Sequence, residues 1–100
     1  MMSAADLAKL KFDDFSRHLD ETFDMQTDGG VVSLKLAKVE PLGHAKREGG
    51  AFSVLFVAPA GPRLRQSIYP VVHPDLGRME IFLVPIGPMA DGNGYQSIFA

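Results

Sequence analysis

The sequence predicts an all-β fold: a mainly antiparallel, six-stranded small barrel or two-layer sandwich with an N-terminal helix packed on it. Three observations lead to this prediction. Apolar and polar residues alternate with a period of two after residue 20, glycine and proline signals separate these stretches, and most connections have hairpin length. Strands this short close most easily into a barrel or sandwich, because closure hides edges that invite pairing with another chain.

The composition indicates one domain over residues 1–100. A chain of 100 residues with 46% hydrophobic and 22% charged residues buries one modest core. A net charge of -2 argues against nucleic-acid binding through a basic face, and no apolar run reaches the roughly 18 residues of a membrane helix. Asp6, Lys9 and Lys11 interrupt the apolar run that a signal peptide needs, so we expect a cytoplasmic protein.

Residues 1–19 are predicted to form a helical segment, and residues 20–100 the barrel or sandwich. Ser3 and Asp6 are typical of a helix start. Apolar residues then follow at spacings of three and four, which predicts one bent helix or two short ones between about Ala4 and Leu19. Because only one face is apolar, we expect this segment to lie over the sheet as a lid. The apolar residues are Leu7, Leu10, Phe12, Phe15 and Leu19.

The strands follow from alternation and from the turn residues between them. The first two form a hairpin through Thr27-Asp28-Gly29-Gly30, and a slip in the alternation at 37–39 predicts a β-bulge. Pro70 lies inside the fourth strand and cannot donate to a ladder, which favours an edge or bulged position there. The strands are expected at about residues 21–26, 32–36, 51–58, 66–73, 78–88 and 95–99.

Two of the predicted strands are apolar on both faces. Residues 51–58 place Phe52, Val54 and Phe56 on one face and Leu55 and Val57 on the other. Residues 78–88 contain an equally apolar run from Ile81 to Ile86. Because successive side chains point to opposite faces, such strands require cover on both faces. We therefore expect residues 78–88 to occupy a central position.

Two histidines lie near carboxylates. His18 is followed by Asp20, Glu21 and Asp24, and His73 by Asp75. These residue types serve as metal ligands or acid–base pairs. The chain contains neither an H-E-x-x-H motif nor a G-x-S-x-G motif. We therefore assign no catalytic residue, metal site or cofactor, and expect one histidine at a solvated helix end and the other packed under a turn.

Other polar motifs have a structural interpretation. Asp91-Gly92-Asn93-Gly94 resembles half of a calcium loop but lacks the rest of the pattern, so a hairpin turn is favoured. Tyr69 and Tyr95 alternate in register with core positions, so we expect buried tyrosines with hydrogen-bonded hydroxyls. Lys46, Arg63 and Arg65, together with His73, are the candidate ligand-binding residues. They form an anion site if the loops at 41–50 and 59–66 meet at one rim of the barrel.

Several blocks resemble the signature of a small bacterial domain family of unknown function. The blocks are F-S-V-L-F at 52–56, Q-S-I-Y at 66–69, H-P-D-L-G at 73–77, E-I-F-L-V-P-I-G at 80–87 and Y-Q-S-I-F at 95–99. The resemblance extends from about Phe12 onward and consists of core strands and turns without a catalytic signature. It implies a fold and no assigned activity. Members found beside phage-tail-like or fibre-like proteins imply a role in assembly.

The expected function is therefore a non-catalytic interaction or structural module, as a small component of a phage-tail-like or other protein assembly. Its partner is a protein or a second copy of the chain, recognised by edge-strand pairing through residues 66–73 or the terminal strand. The alternative is a β-barrel that binds a small or anionic ligand near Lys46, Arg63 and Arg65. An enzyme with His73 or His18 in a polar cleft is a third hypothesis.

Overall fold

The computed structural model describes residues 10–42, 51–59, 64–89 and 92–99. They form a closed antiparallel barrel of six strands in the order β1-β2-β3-β6-β5-β4, preceded by one short helix, α1. The predicted fold class is confirmed, and the barrel is the correct one of its two forms. The elements are α1 (Phe12–Ser16), β1 (Thr22–Thr27), β2 (Gly30–Pro41), β3 (Phe52–Ala58), β4 (Ser67–His73), β5 (Gly77–Met89) and β6 (Gly92–Phe99).

The barrel consists of two three-stranded meanders, β1-β2-β3 and β4-β5-β6, which meet along two seams. The β3–β6 seam is paired along its whole length, from Phe52 opposite Phe99 to Ala58 opposite Asn93. The β1–β4 seam is paired only at Asp24 with Val72 and at Met25 with Val71. One seam therefore closes the barrel firmly, and the other is open over most of its length.

The local turn and bulge predictions are confirmed at the start of the barrel. β1 and β2 form a hairpin that ends at Thr27 opposite Gly30, and Gly30 has a φ of 123°. Glycine takes this conformation without the steric cost of a side chain. The register of β2 against β3 shifts between Leu36 and Lys38, which is the bulge expected at 37–39.

Strand β6 begins earlier than the sequence predicts. Asn93 and Gly94 belong to strand β6, and the last pair of the hairpin joins Met89 to Gly92. The predicted turn at Asn93-Gly94 is therefore wrong, and Asp91 lies outside the described residues. A side chain at Gly94 would meet the sulfur of Met89 at 2.6 Å, so packing across the hairpin explains the glycine.

The barrel interior is filled by inward-facing side chains. Every second residue of each strand points inward, because side chains alternate between faces. Phe23 and Phe56 meet edge to face with ring centroids 5.2 Å apart. The largest fully buried side chains are Tyr95, Phe15, Phe23, Phe52, Phe56, Met25, Leu34, Leu36, Met79, Ile81, Leu83 and Val54.

Helix α1 closes one end of the barrel, as predicted for the N-terminal segment. The helix is shorter than expected within the described residues, and residues 17–20 form a turn. Asp14 caps its start by accepting a hydrogen bond from the Lys11 backbone N–H at 2.8 Å. Phe15 is fully buried and packs on Phe52 and Phe99, with centroid distances of 5.7 and 5.4 Å.

Strand β5 does not have the covered, central position that its sequence suggested. A closed barrel has no central strand, and each strand has one face toward the interior and one toward the outside. Met79, Ile81 and Leu83 face inward and are buried, whereas Phe82 and Ile86 face outward and are 49% exposed. The expectation of cover on both faces of β5 is therefore wrong.

Candidate functional site

The structure brings together four polar side chains from two segments that are far apart in the sequence. His18 follows α1, Glu21 lies just before β1, His73 ends β4 and Asp75 lies in the turn after it. One carboxylate oxygen of Glu21, Oε1, lies 3.0 Å from His18 Nδ1 and 2.8 Å from His73 Nε2. We call these four residues the polar cluster. It joins the segment that follows the helix to the barrel wall.

The hydrogen bonds of the cluster determine where the His73 proton lies. The backbone N–H of Asp75 donates to Nδ1 of His73 at 3.1 Å. A ring nitrogen that accepts a hydrogen bond carries no proton, so the neutral ring holds its proton on Nε2. That N–H donates to Glu21. Both ring nitrogens of His73 are therefore occupied, and the buried imidazole has no free nitrogen for a ligand or a substrate proton.

Glu21 is the acceptor at the centre of the cluster. Hydrogen bonds from His73, and secondly from His18, hold the pKa of the Glu21 carboxyl below its usual value. The Glu21 side chain is half exposed, whereas both histidines are buried. Nε2 of His18 lies 3.7 Å from a carboxylate oxygen of Asp75. The cluster therefore stabilises an ionised Glu21 and orients both imidazoles.

His18, Glu21 and His73 also offer three ligand atoms within 4.8 Å of one another, a spacing compatible with a metal ion. A histidine that binds a metal through Nε2 normally donates its Nδ1–H to a second-shell acceptor. Here Nδ1 of His73 accepts a hydrogen bond from a backbone N–H. The donor pattern therefore fits a carboxylate held between two N–H groups better than it fits a metal centre.

Two of the four sequence-predicted ligand-binding residues, Arg65 and His73, lie in the described part of the structure, and they are far apart. Arg65 precedes β4 and His73 ends it, and a strand rises about 3.3 Å per residue. The two residues therefore lie at opposite ends of the strand. Lys46 and Arg63 lie outside the described residues, as does most of the loop at 41–50. Sequence reasoning considered His18 and His73 separately and missed that they meet at Glu21.

Arg65 lines a polar cleft at the open β1–β4 seam, which we call the seam cleft. The cleft has a volume of about 910 Å³ and is bounded by Gln26 to Gly29 on one side and by Leu64 to Pro70 on the other. The Tyr69 hydroxyl donates to the Arg65 carbonyl at 2.7 Å, and the Tyr95 hydroxyl accepts from the Leu64 N–H at 2.9 Å. The predicted buried tyrosine with a bonded hydroxyl is confirmed at Tyr95.

An apolar surface lies beside the seam cleft on the outside of the barrel. Ile68 of β4 is directly opposite Phe82 of β5, and both line a groove with Ile98 of β6. The exposed fractions are 61% for Ile68, 49% for Phe82 and 60% for Ile98. The groove has a volume of about 240 Å³ and lies where β5 and β6 diverge beyond the Val84–Gln96 pair. We call these three residues the outer apolar face.

The fold and these surfaces define a class: a small, closed β-barrel domain with a helical plug, a packed interior, an exposed apolar face and a polar cleft. The chain belongs to the family of DUF6916, a domain of unknown function, whose model matches residues 10–99. No curated protein and no solved structure matches the chain. Among the described residues, no helix is long and apolar enough to cross a bilayer.

Proposed function

We propose that this domain is a non-catalytic protein-interaction module that binds its partner through the outer apolar face. The supporting observation is the row formed by Ile68, Phe82 and Ile98, which lies across three neighbouring strands and is about half exposed or more at each position. Single exposed apolar residues are common on proteins, whereas contiguous apolar patches mark interaction sites. A component of a larger assembly needs such a surface.

The polar cluster supports a structural role better than a catalytic one. A general base needs a free nitrogen or oxygen within reach of the substrate proton. In His73 one ring nitrogen accepts from Asp75 and the other contacts Glu21. The cluster therefore joins the turn after α1 to the end of β4, and we place recognition on the outer apolar face.

The test compares the double variant Phe82→Ser/Ile98→Ser with wild type and with Val31→Ser. Val31 is 64% exposed on β2, so its substitution removes one smaller apolar side chain from another part of the barrel surface. Each protein is immobilised, exposed to extract of the source cells and analysed by quantitative mass spectrometry. Some proteins should be captured in equal amounts by wild type and Val31→Ser. We expect the captured amount of these proteins to be at least about tenfold lower for the double variant. Equal capture by all three proteins contradicts the proposal.

Self-association through the same face is tested with the same variants. Native mass spectrometry of the wild type at several concentrations reports any homodimer. A dimer that persists in Val31→Ser and disappears in the double variant identifies a second copy of the chain as the partner. A dimer retained by the double variant places self-association on another surface.

A second candidate function is the binding of an anionic ligand in the seam cleft. Arg65 lines this cleft and offers a guanidinium to a carboxylate or phosphate. Asp28 lines the same cleft and opposes an anion there. A small molecule retained in native mass spectra of wild type and lost from Arg65→Glu would support this candidate, whereas retention by the variant would remove it.

A further inference from the structure

We infer that the seam cleft binds one extended segment of a partner protein, which adds as a strand to the open edge of β4. This inference rests on the proposed interaction function and names the part of the barrel that receives the partner's backbone. Strand addition to an exposed sheet edge is a general mode of peptide recognition, in which main-chain hydrogen bonds supply affinity and side-chain pockets supply specificity.

The first argument is the length of unpaired strand at the β1–β4 seam. Pairing between the two strands ends at Met25 opposite Val71. β4 extends from there back to Ser67, and β1 extends on to Thr27. The seam cleft opens at this point of divergence. Each wall of the cleft therefore includes a strand edge that is not paired with the other strand of the seam.

The second argument is the direction of the β4 backbone groups, which Pro70 reveals. In an antiparallel pair, alternate residues direct both N–H and C=O toward one neighbouring strand, and the residues between them direct theirs toward the other. Proline lacks the N–H and fits where no ladder bond is needed. Pro70 pairs with Glu80 of β5. The side of Pro70 that lacks a donor therefore faces β1, and Pro70 offers only its C=O there. Ile68, two residues earlier, directs both its N–H and its C=O into the cleft.

The third argument is the shape of the space. If the register of Asp24 with Val72 continued, Gln26 would lie opposite Pro70. The hairpin between β1 and β2 instead forms the far wall of the cleft, with Gln26 and Gly29 at its lining. If a second barrel docked here, the strands that flank its edge strand would clash with this wall. A single extended chain has no flanking strands and avoids the clash. The shape therefore favours an extended segment over a folded copy of the domain.

The fourth argument is the position of Ile68, which lines both the seam cleft and the groove of the outer apolar face. Side chains of an added strand alternate between the faces of the sheet. Those on the outer side would lie against Ile68 and then Phe82, its direct partner on β5. We therefore expect a partner segment with a large apolar residue at alternate positions.

The experiment uses a phage-displayed library of random nine-residue peptides, selected on the full-length wild-type chain. The most enriched peptide is synthesised with a fluorescent label, and its Kd is measured by anisotropy for each variant. The decisive pair is Ile68→Pro and Ile68→Ala. Ile68→Ala removes most of the apolar side chain and keeps the N–H that faces the cleft, whereas Ile68→Pro keeps an apolar ring and removes that N–H. We expect Ile68→Pro to weaken binding at least about tenfold more than Ile68→Ala, as loss of a backbone hydrogen bond predicts.

A redox-controlled lock provides an independent test if Ile68→Pro does not fold. The chain contains no cysteine, so Gln26→Cys/Pro70→Cys introduces one possible disulfide, which forms only when the seam closes to about 4–7 Å between the two Cα atoms. The oxidised fraction is measured with a thiol reagent before binding is tested. Because Gln26 and Pro70 line the cleft, the reduced form of the same variant is the reference, and the oxidised form should bind the peptide at least about tenfold more weakly than the reduced form. A matched control, Asp24→Cys/Ser33→Cys, cross-links β1 to β2 at an existing pair and should bind in both redox states.

The outcomes separate this inference from the proposed function. Equal affinities for Ile68→Pro and Ile68→Ala, together with unchanged binding by the oxidised lock, overturn the strand-addition inference. If Phe82→Ser/Ile98→Ser abolishes binding in that case, the proposed function stands and recognition uses side chains alone. Failure to enrich any peptide above the background of an uncoated surface also overturns the inference.

Discussion

Strands β3 and β5 have the same apolar pattern, but the fold covers only one of them. In β3 the inward side chains Phe52, Val54 and Phe56 are fully buried, and Val57 on the other face is only 8% exposed. In β5 the inward side chains are also buried, whereas Phe82 and Ile86 face outward and are half exposed. The difference lies entirely on the outer faces of the two strands.

The difference arises from what packs outside each strand. Val57 pairs with Gly94 of β6, and the side chains of Ile86 and Met89 lie over Gly94. The side chains of Ile86 and Met89 therefore lie on the surface of β6 next to β3. Phe82 lies instead at the groove where β5 and β6 diverge. An apolar residue on an outer face is thus buried at Val57 of β3 and half exposed at Phe82 of β5.

The largest expected difference in stability comes from replacing one phenylalanine by alanine in each of the two strands. Phe56→Ala removes a fully buried ring that packs on Phe23, and should lower the free energy of unfolding by about 3–5 kcal/mol. Phe82→Ala removes a half-exposed ring and should change it by about 1 kcal/mol or less. Urea denaturation followed by circular dichroism measures both values. Similar losses for the two variants would show that the outer face of β5 is part of the core.

An intermediate difference in unfolding free energy is expected between two substitutions that both lie on outer faces, one in β3 and one in β6. Val57→Ser places a hydroxyl where the wild type buries an apolar side chain, and should cost about 1–2 kcal/mol of unfolding free energy. Ile98→Ser changes a side chain that is 60% exposed and should stay within about 0.5 kcal/mol of wild type. Thermal unfolding at one protein concentration distinguishes them. A larger loss for Ile98→Ser would reverse the assignment of the covered and open faces.

The smallest effect at neutral pH is expected for Glu21→Gln, because the carboxylate is half exposed. The His73 and His18 hydrogen bonds lower the pKa of Glu21 in the folded state relative to the unfolded chain. The ionised form therefore contributes stability above the unfolded pKa of about 4.3, and this contribution is lost as the pH falls through the lower folded value.

The measurement is the stability difference between wild type and Glu21→Gln from pH 7 down to pH 3. We expect this difference to disappear in the acid range below about pH 4, as the linkage requires. Phe82→Ser serves as the control, since a change on the outer apolar face should leave the acid limb of the wild-type curve unchanged. A difference that stays constant from pH 7 to pH 3 would mean that Glu21 acts through packing rather than through its charge.

Local sequence patterns predicted the elements well and the sites poorly. The six strands, the bulge near 37–39 and the plug that contains Phe15 follow from alternation, turn residues and helical spacing, which are properties of neighbouring residues. The polar cluster joins His18 and Glu21 to His73, about fifty positions away, and no local spacing of residues predicts that contact. The signal of this cluster in the sequence was two isolated histidines, each close to a carboxylate.

The sequence by itself determined a mainly antiparallel barrel or sandwich with an N-terminal helix packed on it, because period-two alternation and short connections leave few other ways to bury one apolar face. The closed barrel was decided by the tertiary structure. Tertiary structure alone decided which seam closes weakly, which apolar strand stays open on its outer face, and which histidine nitrogen holds the proton. Each depends on distant strands meeting: β1 with β4, β5 with β6, and Asp75 with the ring of His73. The local pattern is the same whether a partner strand covers an apolar residue or leaves it exposed.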